Sequence, residues 1–152
     1  MSSVIDLYDR VMGLLSGRFF EGIALLLARV ALAAQFWNSG RTKVVEGTWL
    51  EINEFQYVIF ENEFSGLPIS PEIAVPMTVY AEFFLPILIF FGLATRFTAA
   101  GLLVMTLVIQ FFVFPDAWWS VHVMWTALAA VIISRGAGLF SIDHVAGMAR
   151  AK

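Results

Sequence analysis

The sequence predicts an all-α integral membrane four-helix bundle, with an amphipathic N-terminal helix and a long amphipathic outer loop. Composition and segment length carry that prediction. Sixty per cent of the 152 residues are hydrophobic and 14% are charged, with a mean hydropathy of +0.83. A water-facing surface needs about a quarter charged residues, so one soluble core cannot absorb this apolar excess and lipid must cover part of it. The net charge of -3 has no basic bias, which argues against a nucleic-acid partner. The absence of cysteine removes disulfides, thiolate metal sites and thiol redox chemistry together.

Residues 1–18 place Val4, Leu7, Tyr8, Val11, Leu14 and Leu15 at helical spacing, with Asp6, Asp9 and Arg10 between them. This pattern predicts a helix lying on the membrane surface. It lacks the basic start and unbroken apolar run of a cleaved leader, so it is expected to be retained. Four apolar segments follow, at about residues 19–39, 72–93, 97–114 and 117–134. Each approaches the ~20 residues that cross a ~30 Å hydrocarbon core as a helix. Pro115-Asp116 separates the last two, and proline suits a tight turn there. No internal repeat or second domain interrupts the chain, which reads as one domain over residues 1–152.

Orientation follows from the basic residues. Arg10, Arg18, Arg96, Arg135, Arg150 and Lys152 fall on one side of the four-span arrangement, and Arg41 and Lys43 on the other. The positive-inside rule then predicts both termini in the cytoplasm and a multi-pass protein of the bacterial cytoplasmic (inner) membrane. Trp37, Trp49, Trp118 and Trp119 are expected at the outer interface as an aromatic belt. The loop over residues 40–71 mixes Glu46, Glu51, Glu54, Glu61 and Glu63 with large apolar side chains. It reads as an amphipathic lid over the outer end of the bundle, as a docking surface, or as an interfacial helix with no further role.

A charge at the bilayer centre costs about 2.5–3.5 kcal/mol, so charges within spans are the first candidates for function. Arg29 lies ten residues into the first span from the inner side, and Glu82 ten residues into the second from the outer side. Similar depth predicts an ion pair, which serves either as a structural lock between helices or as part of a polar cavity. Thr78 and Glu82, Thr106 and Gln110, and His122 and Thr126 each repeat an i,i+4 spacing that places both side chains on one helix face. His122 stands at helical spacing among Trp118, Trp119 and Trp125 and titrates near neutrality, which suits proton transfer or hydrogen bonding to a quinone. It reads equally as an interfacial histidine bonded to a loop carbonyl. Pro76 and Pro86 free backbone carbonyls within the second span. No haem or metal site is predicted.

Several stretches resemble the DoxX family. They are Leu27-Ala28-Arg29, then Phe36-Trp37-Asn38-Ser39-Gly40 with Lys43, then Gly66-Leu67-Pro68, Glu82 and Gly92-Leu93-Ala94-Thr95-Arg96-Phe97. The tail Gly136-Ala137-Gly138-Leu139-Phe140-Ser141-Ile142-Asp143 is similar to the closing glycine-rich segment of that family. The resemblance implies a four-helix membrane bundle in which Arg29 and Glu82 are pattern positions. It also implies association with quinone-linked oxidoreductases, including a small subunit of thiosulfate:quinone oxidoreductases, and with oxidative-stress membrane complexes. No thiosulfate site is legible in this chain, and many DoxX-like proteins have no assigned activity.

The leading expectation is a redox-associated membrane subunit that binds a quinone or similar lipid in an outward-facing polar pocket and works with a partner oxidoreductase. Arg29 and Glu82 set the polarity of that pocket, Gln110 and His122 contact the headgroup, and Trp118, Trp119 and Trp125 flank the ring. A different class of function is a non-catalytic scaffold that recruits a partner protein through the acidic outer loop. Membrane lipid is a partner on either reading, and the sequence also accommodates a homo-oligomer.

Overall fold

The computed structural model describes residues 2–150. Its helices run α1 (Ser2–Leu15), α2 (Arg18–Arg41), α3 (Phe55–Glu63), α4 (Pro71–Phe91), α5 (Thr95–Phe112), α6 (Val123–Arg135) and α7 (Ile142–Arg150). A 3-10 turn over Pro115–Ala117 and a π turn over Trp118–His122 lead into α6. Four helical stretches, Arg18–Arg41, Pro71–Phe91, Thr95–Phe112 and Pro115–Arg135, are long and apolar enough to cross a membrane. They match the four segments expected from the sequence to within a few residues, and the chain is a multi-pass helical membrane protein. Lys152, counted above among the basic residues, lies outside the described residues.

The spanning helices enclose a core of Leu32, Phe36, Ile89, Leu102 and Ile132, with Ala33, Ala99 and Ala129 letting the backbones approach. Helices α2 and α4 run antiparallel but are staggered. Gly40 packs on Glu82, where a Cβ would lie 3.0 Å from the Glu82 Cβ and 3.1 Å from its carbonyl oxygen. That carbonyl has no helical donor, because Pro86 four residues later lacks an N–H. At the other end Arg29 packs on Gly92. Helix α2 therefore stops at the level of Glu82, while α4 continues eleven residues further to Pro71, about 16 Å at the helical rise.

The loop over residues 42–70 fills the space that α2 leaves open. Val44 pairs with Ile52 in an isolated antiparallel bridge, and Phe60, 2% exposed, packs with Val44, Ala74, Val75 and Val79. The loop thus forms a wall along the outer half of α4, and it reaches the outer end of α5, where Gly66 packs on the Phe112 carbonyl and Phe64 lies 6.1 Å from Phe114. Glu46, Glu51, Glu54, Glu61 and Glu63 all remain on its exposed side. Of the four tryptophans expected in an aromatic belt, Trp37 lies 5.5 Å from Phe83, beside the middle of α4, and 6.4 Å from Trp49 of the loop.

The opposite end, where both termini lie, is tied by the tail. Helix α4 finishes in a Schellman motif, with Leu93 N–H donating to the Leu88 carbonyl (2.9 Å) and Gly92 N–H to Ile89 (3.1 Å). Gly92 has φ +68° and Ala94 has φ 47°, so the chain reverses through two left-handed residues. Asp143 then caps α5, its two carboxylate oxygens each accepting at 2.8 Å from the backbone N–H of Ala94 and Thr95. Partial burial opposes ionisation of Asp143, but the Thr95 and Ala94 amides and the nearby Arg29 charge outweigh it, holding the carboxyl below its ordinary pKa.

Candidate functional site

Between α2, α3, α4, α5 and the π turn lies a cavity of about 390 Å³. The stagger creates it, because α2 ends where the outer half of the bundle begins. Its walls are apolar and aromatic, formed by Phe36, Phe60, Phe64, Met105, Phe114 and Trp125. Ser39, Lys43, Glu82 and His122 supply polar groups, with Gln35 and Thr78 also on the lining.

Ser39 in the last turn of α2 and Lys43, two residues past its end, are four residues apart, and both side chains meet Glu82. Lys43 Nζ lies 2.7 Å from Glu82 Oε2, and donates to the Ser39 hydroxyl at 2.9 Å and to the Ser39 carbonyl at 3.2 Å. The Ser39 hydroxyl in turn donates to Glu82 Oε1 at 3.0 Å. Glu82 is 1% exposed and Lys43 9%. The charges neutralise each other, and Ser39 takes up the other Lys43 protons and Glu82 Oε1, local bonding of the kind a buried pair requires.

The second polar group depends on the turn after α5. In the π turn Val123 N–H donates to the Trp118 carbonyl, five residues back. This extra residue resets the helix face, and π turns of this kind often occur at functional sites. His122 is 3% exposed and Gln110 7%, and His122 Nδ1 lies 2.7 Å from Gln110 Oε1. Gln110 Nε2 donates to the Pro115 carbonyl at 2.6 Å. Because that carbonyl can only accept, the Gln110 amide orientation is fixed and its oxygen faces the imidazole. Nδ1 must therefore carry the proton, and neutral His122 has Nε2 as its accepting nitrogen.

Of the residues singled out in the sequence, Glu82, His122 and Trp125 line the cavity and Gln110 holds His122 from behind. Trp118 and Trp119 are not on its lining, and Trp119 is 84% exposed. The expected Arg29–Glu82 ion pair does not form. Arg29, 0% exposed, donates to the carbonyls of Ile89 (3.3 Å), Phe90 (3.0 Å) and Phe140. It caps the end of α4 and fastens the tail. Depth counted from the span ends assumed level helices, whereas Gly40 is the residue opposite Glu82 and lies eleven residues from Arg29, about 16 Å along the axis. Lys43 was missed as the partner because it follows the expected end of the first span. Its i,i+4 relation to Ser39 was the available signal.

Comparison with known proteins agrees with this architecture. A protein of Haemophilus influenzae named only as uncharacterized is 27% identical over 130 residues, covering 81% of this chain and 83% of its own length. No solved structure matches the chain. The family model for DoxX matches residues 24–115, a stretch that contains the Ser39–Lys43–Glu82 network, Arg29 and Gln110. The chain belongs to the DoxX family.

Proposed function

We propose that this chain is a redox-associated subunit of the bacterial cytoplasmic membrane that binds a quinone, or a lipid of similar shape, and works with a partner oxidoreductase. The observation that carries the reading is the combination in one cavity of aromatic walls with two buried polar groups, the Lys43–Glu82 pair and His122. The volume, about 390 Å³, falls in the range of small-ligand pockets. A quinone ring is flat and apolar with polar oxygens at its edge, which suits such walls and groups. When bound, a quinone supplies two-electron chemistry coupled to two protons, the electrons being exchanged with the partner. His122 Nε2 is available to accept a hydrogen bond, and a proton, from a hydroxyl. The Lys43 ammonium donates to a carbonyl oxygen if it yields one Ser39 contact. Trp125 and Phe36, 5.5 Å apart, offer faces to the ring.

Titration of a short-chain quinone into the detergent-solubilised protein tests this reading. Replacing His122 by Ala is expected to weaken binding roughly tenfold, the effect of one lost hydrogen bond. Equal affinity in the two proteins contradicts the assignment.

A scaffold function is the second reading, favoured by the way the loop buries Val44 and Phe60 while leaving five glutamates and Trp49, Phe55 and Val58 exposed. It predicts that a partner is lost when those glutamates are neutralised and retained when His122 is replaced. Co-purification from the native membrane separates the two readings.

A further inference from the structure

A second concavity, about 460 Å³, opens at the terminal end of the bundle, where α5 begins and α6 ends. Arg18, Arg96 and Arg135 converge on it from three helices, with His144 beside them. Two carboxylates share the groove, and both are already engaged. Asp143 spends both oxygens on the Ala94 and Thr95 amides, and Glu21 accepts from Arg135 Nε at 3.0 Å. The Arg135 terminal amino groups are left over. Arg96 makes one long contact to the Ser134 carbonyl, 3.4 Å, and Arg18 has no acidic partner among the described residues. A surplus of guanidinium donors thus faces one open space.

The groove's position adds a second constraint. The first residues of α5 and the last of α6 are the ends of two membrane-spanning stretches, so the guanidinium groups stand at the depth of lipid headgroups. Phe97, on the groove lining and 85% exposed, follows Arg96 directly in α5, so an exposed apolar ring stands beside the guanidinium groups on the side of α5 that faces the acyl chains. Guanidinium groups suit phosphate oxygens because their donors form a planar fork.

We infer that this groove binds the phosphate of an anionic phospholipid, with Arg18, Arg96 and Arg135 on the headgroup and Phe97 against the acyl chain. It is separate from the Ser39–Lys43–Glu82 cavity and does not depend on any reading of that cavity.

The test uses the full chain in mild detergent, with native mass spectrometry and thermal melting after addition of dioleoyl phosphatidylglycerol, dioleoyl phosphatidylcholine or inorganic phosphate. Phosphatidylglycerol is expected to remain bound and to raise the melting temperature, and phosphatidylcholine is not. Arg18→Gln and Arg96→Gln are each expected to weaken phosphatidylglycerol binding roughly fivefold, the worth of one interfacial arginine. Arg10→Gln on α1, outside the groove, leaves it unchanged. Among the described residues Arg18 makes no side-chain hydrogen bond whose loss would disturb the fold, so that variant decides the matter if Arg96→Gln unfolds. Equal binding of the two lipids, or an equal loss in Arg10→Gln, overturns the assignment. Inorganic phosphate binding as tightly as phosphatidylglycerol also overturns it, in favour of a free-anion site.

Discussion

Lys43 and Glu82 are each buried beside a partner of opposite charge. Removing one leaves the other uncompensated, at a cost of about 3–5 kcal/mol for a buried pair, whereas replacing both with apolar residues is often near neutral. Lys43→Met and Glu82→Gln are therefore each expected to lower thermal stability in detergent strongly, and Lys43→Met combined with Glu82→Leu to recover most of the loss. Additive losses contradict a direct pair. The residue scale is also where the sequence was least legible. Arg29 and Glu82 were recognisable as charges within spans, but their pairing depended on helix register, which composition does not encode. Gly40 and Gly92, the two small residues that set this register, look alike in sequence. One carries a close helix contact with ordinary helical geometry, and the other a left-handed reversal.

At the scale of elements, the terminal-end turn joins α4, α5 and the tail through a few backbone bonds. Gly92→Ala would impose about 1–2 kcal/mol of left-handed strain and bring a methyl group against the Arg29 guanidinium. A lowered melting temperature is expected, and an unchanged one counts against the packing described. Asp143 makes the same turn pH-sensitive. Its folded-state pKa is depressed, so its contribution is fully present above the unfolded carboxylate value. That contribution is lost as pH falls through the ordinary carboxylate range and below it. Asp143→Asn should flatten the acid limb of the stability profile relative to wild type, as measured by melting between neutral and acid pH. The four spans were legible because apolar length is a strong signal. The π turn was not, since nothing in Trp118–His122 announces an i→i−5 bond, yet this turn sets the helix face on which His122 meets Gln110.

At the scale of the whole molecule, the bundle is polarised along its axis. The terminal end gathers Arg18, Arg96 and Arg135, while the other carries the five exposed loop glutamates. Lys43, counted from sequence among the basic residues of the loop side, is neutralised by Glu82, which sharpens the asymmetry. The positive-inside rule predicts cytoplasmic termini, so reporter domains fused to either end are expected to be active only there. Activity on the opposite side contradicts that placement. The overall architecture was readable from sequence because each span satisfies its own backbone hydrogen bonds and needs only apolar length. The cavity was readable only in some polar members and Trp125, since its volume arises from the early end of α2. The central claim, that this cavity holds a quinone or a lipid of similar shape, is tested most directly by mass spectrometry of the organic extract of protein purified in mild detergent from its native membrane. The extract is expected to contain such a molecule near one per chain, much reduced in His122→Ala; an extract without one, or the same amount in both proteins, contradicts the claim.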